Sequence, residues 1–332
     1  MDLILLTKDL HEIDRVRGID ADFEIGTDDS SSESNADSKT TNTFEVDAPA
    51  LDAAGLYIPG TEYGGLIENI KETSTSETVT YKGWTWRGLL DQSIVVPPAG
   101  SDYKTVSGEA NSIIKSVLSG VLGGFFTVPE TDSGITVKSY QFQLYTTVLD
   151  GLEDMLGENG ARLYIHADKV TAAQPIKITV EAVKATTLAG TYNSDSSVGL
   201  TFKSNQMGIN HLICMGQGEL QKRQRIDLYL DGSGNVSRKQ TFTGFQERQA
   251  YYDYSNAESE DDLIKSGTER LKKLASSASI AISSVSTNKV LEIGDIVTGN
   301  LGSISVSAPI TKKIMKISGG RVSISYSVKG ET

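Results

Sequence analysis

The residues best able to do chemistry in this chain are few and scattered. Its three histidines are His11, His166 and His211, and its one cysteine is Cys214. A metal centre needs converging ligands, as in His-x-x-x-His or Cys-x-x-Cys, and neither spacing occurs. His166 and His211 fall in strand patterns, where a structural imidazole is expected. Cys214 lies in the apolar run His211-Leu212-Ile213-Cys214-Met215, so it should be a small buried hydrophobe. Serine hydrolysis lacks its Gly-x-Ser-x-Gly anchor, and no Walker A sequence occurs. Gly216-Gln217-Gly218 has no third glycine and no helix behind it, which points to a turn or bulge rather than a nucleotide loop. Glycan cleavage needs two carboxylates. The candidates are Glu153/Asp154, on the solvated face of a predicted helix, and Glu258/Glu260/Asp261/Asp262, at a helix N-terminus, where acids complement the macrodipole.

The remaining charged clusters have structural readings. Residues 27–43 (TDDSSSESNADSKTTNT) gather Asp and Ser but lack the EF-hand spacing and its mid-loop glycine, so a polar hairpin loop is expected. The one basic knot, Gln221-Lys222-Arg223-Gln224-Arg225, has no aromatics between its charges and suits a solvated or subunit-contacting strand edge. The expectation is therefore no catalytic, cofactor-binding or metal-ligating residue, no cofactor and no enzymatic activity.

Composition points the same way. The chain has 332 residues and a net charge of −12. An acidic balance opposes stable nucleic-acid binding, which needs Lys and Arg on phosphates, and opposes docking on anionic lipid. A single cysteine excludes an internal disulfide and fits a reducing cytoplasm. There is no secretory signal after Met1-Asp2, and no apolar run of about 18 residues that could span a membrane. Tyrosines outnumber phenylalanines, 13 to 8, and abundant Gly, Ser and Thr suggest many turns and sheet faces that meet solvent or a partner.

The elements that must position these residues are mostly strands. Alternation predicts strands over 3–6, 23–25, 43–46 and 55–58, then a hairpin whose arms cover 66–73 and 78–86. Trp84 and Trp86, the only tryptophans, would share one face of that second arm. A short helix start at 87–91 and the stop Pro97-Pro98 follow. Helices are predicted over 108–122, capped by Ser107, and over 147–156. Strands then return at 161–166, 176–183, 200–203, 211–215 and 225–230. The turn Asp231-Gly232-Ser233-Gly234-Asn235 leads to a return strand over 237–242. A helix capped by Ser259 with Asp262 at its third position precedes strands at 279–284, 296–298, 303–306, 312–317 and 321–328. The expected fold class is α+β, mainly β: two β-barrel-like domains with an intervening small α+β domain. The boundaries fall at 1–98, 99–198 and 199–332, the last with an inserted helix near 259–275.

With these units placed, the chain resembles the baseplate-hub (tail-tip hub) proteins of tailed bacteriophages and related phage-like particles. The matching residues are Gly64-Gly65-Leu66-Ile67, the run Val79-Thr80-Tyr81-Lys82-Gly83-Trp84-Thr85-Trp86-Arg87-Gly88-Leu89-Leu90-Asp91, and Ile94-Val95-Val96-Pro97-Pro98-Ala99-Gly100. Further matches are the helix from Ser107 to Leu118, Leu291-Glu292-Ile293-Gly294-Asp295-Ile296-Val297 and the closing hairpin from Ile317 to Lys329. The 27–43 loop departs from the pattern, and no fused lysozyme or peptidase follows Thr332. The resemblance implies a homotrimer whose two similar barrels per chain make a pseudo-sixfold ring. Such a ring would adapt a hexameric tail tube to a threefold spike or tip, with tape measure and other baseplate proteins as further partners. Its place would be the virion tail, assembled in the host cytoplasm, with DNA passing through the lumen. The other functions weighed are a tip-located cell-wall-degrading enzyme and a receptor-binding β module.

Overall fold

A computed structural model describes residues 2–16, 19–27, 41–75, 78–171, 173–190, 198–204, 208–255, 257, 259–275, 280–287, 290–301 and 304–328. Most of the 27–43 loop and Glu258 lie outside the described residues. The chain packs as two compact units, one of residues 1–200 with 284–329 and one built on 201–283. The fold is mainly β, 44% strand against 18% helix.

The first unit opens with β1 (Leu3–Leu6), β2 (Glu12–Val16), β3 (Asp20–Gly26), β4 (Thr43–Ala48), β5 (Gly55–Tyr57), β6 (Gly64–Lys71) and β7 (Val79–Thr85). Next come α1 (Trp86–Asp91), β8 (Thr105–Glu109), α2 (Ala110–Leu118), β9 (Phe126–Thr127), β10 (Thr136–Gln141), α3 (Val148–Glu158), β11 (Ala161–Asp168), β12 (Lys177–Lys184) and β13 (Thr187–Gly190). β14 (Val198–Ser204) leads into the second unit, which holds β15 (His211–Met215), β16 (Arg225–Leu230), β17 (Val236–Ser237), β18 (Gln249–Asp253) and α4 (Glu260–Ala275). β19 (Ile280–Thr287) leads back to β20 (Ile296–Leu301), β21 (Ile304–Ser318) and β22 (Arg321–Val328).

One strongly curled sheet dominates the first unit. Its strand order is β22-β21-β3-β4-β7-β6-β5-β1-β2, with β20 and then β13 attached beside β21. The two terminal hairpins thus belong to one sheet: β21 pairs antiparallel with β3, Met315 facing Phe23. A bulge at Thr311 interrupts the β21–β22 register between Ile310 and Lys312. The Thr311 carbonyl oxygen sits where a Cβ on Gly26 would be, 2.0 Å away, and Gly26 has φ +94°, so only glycine fits opposite the bulge.

The hairpin of β6 and β7 is packed as closely. A Cβ on Gly83 would stand 1.8 Å from the Leu66 carbonyl oxygen. Gly83→Ala is expected to force the two strands apart and cost about 1–3 kcal/mol, the usual range for overpacking. Urea unfolding read by tryptophan fluorescence checks this, because both tryptophans lie in the first unit.

Three caps place the helices. Thr85 is extended and its hydroxyl accepts from the Gly88 amide, so the chain leaves the strand one residue before Trp86. Trp84 is therefore a half-buried strand residue, while Trp86 starts α1 and is fully buried. The two rings do not share a strand face, which corrects the expectation. Thr147 caps α3 by accepting from the Asp150 amide. α2 is capped by Glu109, not Ser107, which lies inside β8. The Glu109 carboxylate accepts from the amides of Asn111, Ser112 and Ser133 and from the Ser133 hydroxyl. The little burial it has would raise its pKa, but these donors outweigh that and hold it down to about 2. A depressed carboxylate stabilises above its unfolded value and loses that contribution as pH falls through the folded one. Glu109→Ala should therefore cost about 0.5–2 kcal/mol at neutral pH, the range for a lost cap. The gap from wild type should close as pH drops from about 4.5 toward about 2, as read by urea midpoints across that range.

The three helices share one core with β11 and β12, including Trp86, Ile114, Leu152, Met155, Ile165 and Val180.

The second unit is a four-stranded sheet, β17-β16-β15-β18, with α4 on one face. Leu212, Cys214, Ile226 and Leu228 pack with Leu263 and Leu271. A Cβ on Gly267 would lie 2.6 Å from Cys214 Sγ, so the helix meets the sheet at a glycine. The return strand after the 231–235 turn is only Val236–Ser237, shorter than the 237–242 expected.

Candidate functional site

The most charged interior place among the described residues is in the first unit. The chain leaves β5 through Pro59-Gly60-Thr61, a turn fixed by the Thr61 hydroxyl donating to the Ile58 carbonyl at 2.7 Å. That turn carries Glu62 and Tyr63 inward. α1 supplies Arg87, α3 Glu153, the turn before β20 Glu292, and β21 Lys313. Arg87, Glu62 and Lys313 have side chains only 2%, 3% and 1% exposed.

Glu62 holds the group together. Its Oε2 accepts from Arg87 Nε at 3.2 Å and Nη2 at 3.0 Å. Its Oε1 pairs with Lys313 Nζ at 2.7 Å. Arg87 also donates through Nη2 to the Leu163 carbonyl at 3.4 Å and through Nη1 to Glu153. Lys313 donates to Glu292 and lies 4.8 Å from the centre of the Tyr63 ring, a cation–π contact. A second pair sits beside the network: Arg162 Nε donates to Asp295 Oδ1 at 2.8 Å, and Asp295 also accepts from the Thr186 and Glu292 amides.

Burial opposes every charge here, and the pairing decides the outcome. For Glu62 burial would raise the pKa, but Lys313 and Arg87 outweigh it and keep the carboxylate ionised, at about 2. Burial wins at Glu153, raising it against the pull of Arg87. It wins also at Glu292, against the pull of Lys313 and with Glu62 adding repulsion.

Arg87 and Glu153 reach a cleft of about 690 Å³, also lined by Asp150, Asp154, Glu158 and Arg162. Glu153 was expected on a solvated helix face. Instead it is largely buried and ion-paired, because α3 packs its Glu153 side toward α1. Its Oε1 pairs with Arg87, which ties α3 to α1. Asp154, the other acid candidate of α3, lines the same cleft. Glu260 pairs with Arg238, and Ser259 accepts from the Asp262 amide at 3.2 Å, as expected for a helix start.

His166 and His211 are each paired with carboxylates. His166 Nδ1 is 2.5 Å from Asp168 Oδ2 and its ring stacks on Tyr164. In the second unit His211 is buried, with Nδ1 2.6 Å from Glu247 Oε1 and Nε2 2.8 Å from Asp227 Oδ1, stacked on Tyr229. The two arginines of the basic knot are paired on the sheet. Arg223 reaches Asp253 and the Tyr251 hydroxyl, and Arg225 is bidentate to Asp227. The aromatic missing from the linear sequence therefore comes from β18. Gly216-Gln217-Gly218 is the expected turn, closed by the Gly216 amide on the Gln224 carbonyl and the Gln224 amide on the Gln217 carbonyl. No group of three His, Cys, Asp or Glu among the described residues could hold a metal ion.

The chain has the fold of a phage tail protein. It aligns over 100% of its length with 99% of the 43 kDa tail protein of prophage MuSo2 from Shewanella oneidensis, at 11% identity and a TM-score of 0.50. Prophage tail protein gp18 from Listeria monocytogenes EGD-e aligns over 98% of this chain and 94% of its own, at 12% identity and a TM-score of 0.47. The tail protein from Neisseria meningitidis MC58 aligns over 98% and 95%, at 12% identity and a TM-score of 0.46. No protein-family model and no curated protein matches the chain.

Proposed function

We propose that this protein is a structural hub of a phage or phage-like tail, positioned at the baseplate or tip of the virion. The observation that carries the reading is the alignment of the whole chain with the whole MuSo2 tail protein, together with an interior chemistry spent on joining chain segments. In the proposal three copies form a ring. Each chain supplies two similar barrel-like modules, giving six around the axis. A closed ring needs repeated, near-equivalent edges, and two modules per chain provide them. The ring joins a hexameric tail tube to a threefold spike or tip protein and meets the tape measure protein and other baseplate components. The strand rims and the 221–225 segment are its contact surfaces. The net charge of −12 suits a lumen through which DNA passes without sticking.

Native mass measurement tests this. The chain alone, or mixed with the tube and spike proteins of its own particle, should give a trimer or a complex containing three copies. A monomer in both preparations removes the ring. A zymogram on bacterial cell walls separates the enzymatic alternative, since a clearing zone would overturn a purely structural role. Binding of the isolated chain to whole host cells would favour the receptor-binding module instead.

A further inference from the structure

The buried network in the first unit holds three carboxyl groups, Glu62, Glu153 and Glu292, against two cations, Arg87 and Lys313. The neighbouring Arg162–Asp295 pair is balanced and leaves that count unchanged. A buried site one cation short takes up a proton rather than an uncompensated charge. The place for it is set by contact. Glu62 Oε1 and Glu292 Oε2 converge on a single ammonium, Lys313 Nζ, and two carboxylates brought together on one cation cannot both ionise cheaply. Glu62 Oε2 is already taken by the Arg87 fork, so Glu292 is the member that carries the hydrogen.

We propose that the Glu62–Glu292 pair holds one proton in the folded first unit, and that this proton is part of the clasp fixing β21 to the turn before β6. The clasp closes with the proton in place and loosens as it leaves. Every element packed on Glu292 contributes a group that bears on it. β21 brings Lys313. The turn before β6 brings Glu62 and Tyr63, with Arg87 of α1 behind Glu62. β11 brings Tyr164, and β22 brings the Tyr326 hydroxyl, which accepts from the Leu291 amide at 3.1 Å. Asp295 accepts from the Glu292 amide. Burial raises the Glu292 carboxyl above its ordinary value. A raised acid stabilises the fold below its unfolded pKa, and the contribution is lost as pH rises through the folded one.

The test is urea unfolding of the full chain between about pH 5 and pH 10, read by tryptophan fluorescence, for wild type, Glu292→Gln and Glu109→Gln. Glutamine keeps the donor to Glu62 without the titration. Between the unfolded carboxyl pKa of about 4.3 and the folded pKa of the pair, the wild-type unfolding constant should rise by up to about tenfold per pH unit relative to Glu292→Gln, and the difference should level off above it. Glu109→Gln, outside the network and with a carboxyl held down to about 2, should keep the wild-type slope. Equal slopes for wild type and Glu292→Gln, or loss of the slope in Glu109→Gln as well, would overturn the proposal. Should Glu292→Gln not fold, carbon-13 NMR of the glutamate carboxyls in wild type decides. A Glu292 signal still protonated above pH about 6 supports the shared proton, and one fully ionised there refutes it.

Discussion

Arg87→Ala should be among the most damaging single changes in the protein, destabilising the first unit by about 3–5 kcal/mol, the usual cost of breaking a buried ion pair from one side. The reason is what remains rather than what is removed. Glu62 would keep a carboxylate 3% exposed with Lys313 as its one remaining cation, and Glu153 would lose its partner. The Leu163 carbonyl would also lose a donor. Arg87→Lys is expected to recover only part of the loss, since an ammonium cannot reproduce the fork that meets Glu62 and Glu153 at once. Urea denaturation followed by tryptophan fluorescence measures both variants. An Arg87→Ala protein within about 1 kcal/mol of wild type would mean that the network is not load-carrying for the fold.

Trp86→Ala is expected to cost about 3–5 kcal/mol, the range for removing a large buried aromatic side chain. The indole is fully buried in the core shared by α1, α2 and α3, and its ring lies 6.1 Å from that of Phe125. Trp84→Ala should cost less, about 1–2 kcal/mol, because Trp84 is only half-buried and packs at the margin of the same core. Each variant retains one tryptophan as its own reporter. Equal losses would contradict the split that the Thr85 cap imposes between the two residues.

That split shows where sequence reasoning stopped. Strands with unbroken alternation were legible to the residue: β15, β16 and β22 fall where the pattern placed them. Ser259 was legible as a cap because a hydroxyl stands directly before an apolar stripe. Glu109 was not, since the capping role passed to an acid at the end of a strand. The buried network was invisible for a different reason. Glu62 and Lys313 are far apart in the chain, and neither sits in a motif. Counting alternately from Ile310 puts Lys312 and Ile314 on one face and Lys313 on the other. The bulge at Thr311 resets the count, so Lys313 and Met315 both point inward. A one-residue slip exchanges the two faces of a strand. The signal present in the sequence was Lys312-Lys313 lodged among Ile310, Ile314 and Met315, a charged pair inside an apolar run. The resemblance to tail hub proteins was carried by soft motifs in combination, and at the level of fold the alignment with the MuSo2 tail protein agrees with it.

The second unit enters through β14 and leaves through β19, and these two strands are neighbours in a sheet. An excursion that departs and returns at adjacent points adds little to the closure of the fold it interrupts. Exchanging residues 201–283 for a module of another shape is therefore expected to leave the hydrophobic interior of the first unit intact.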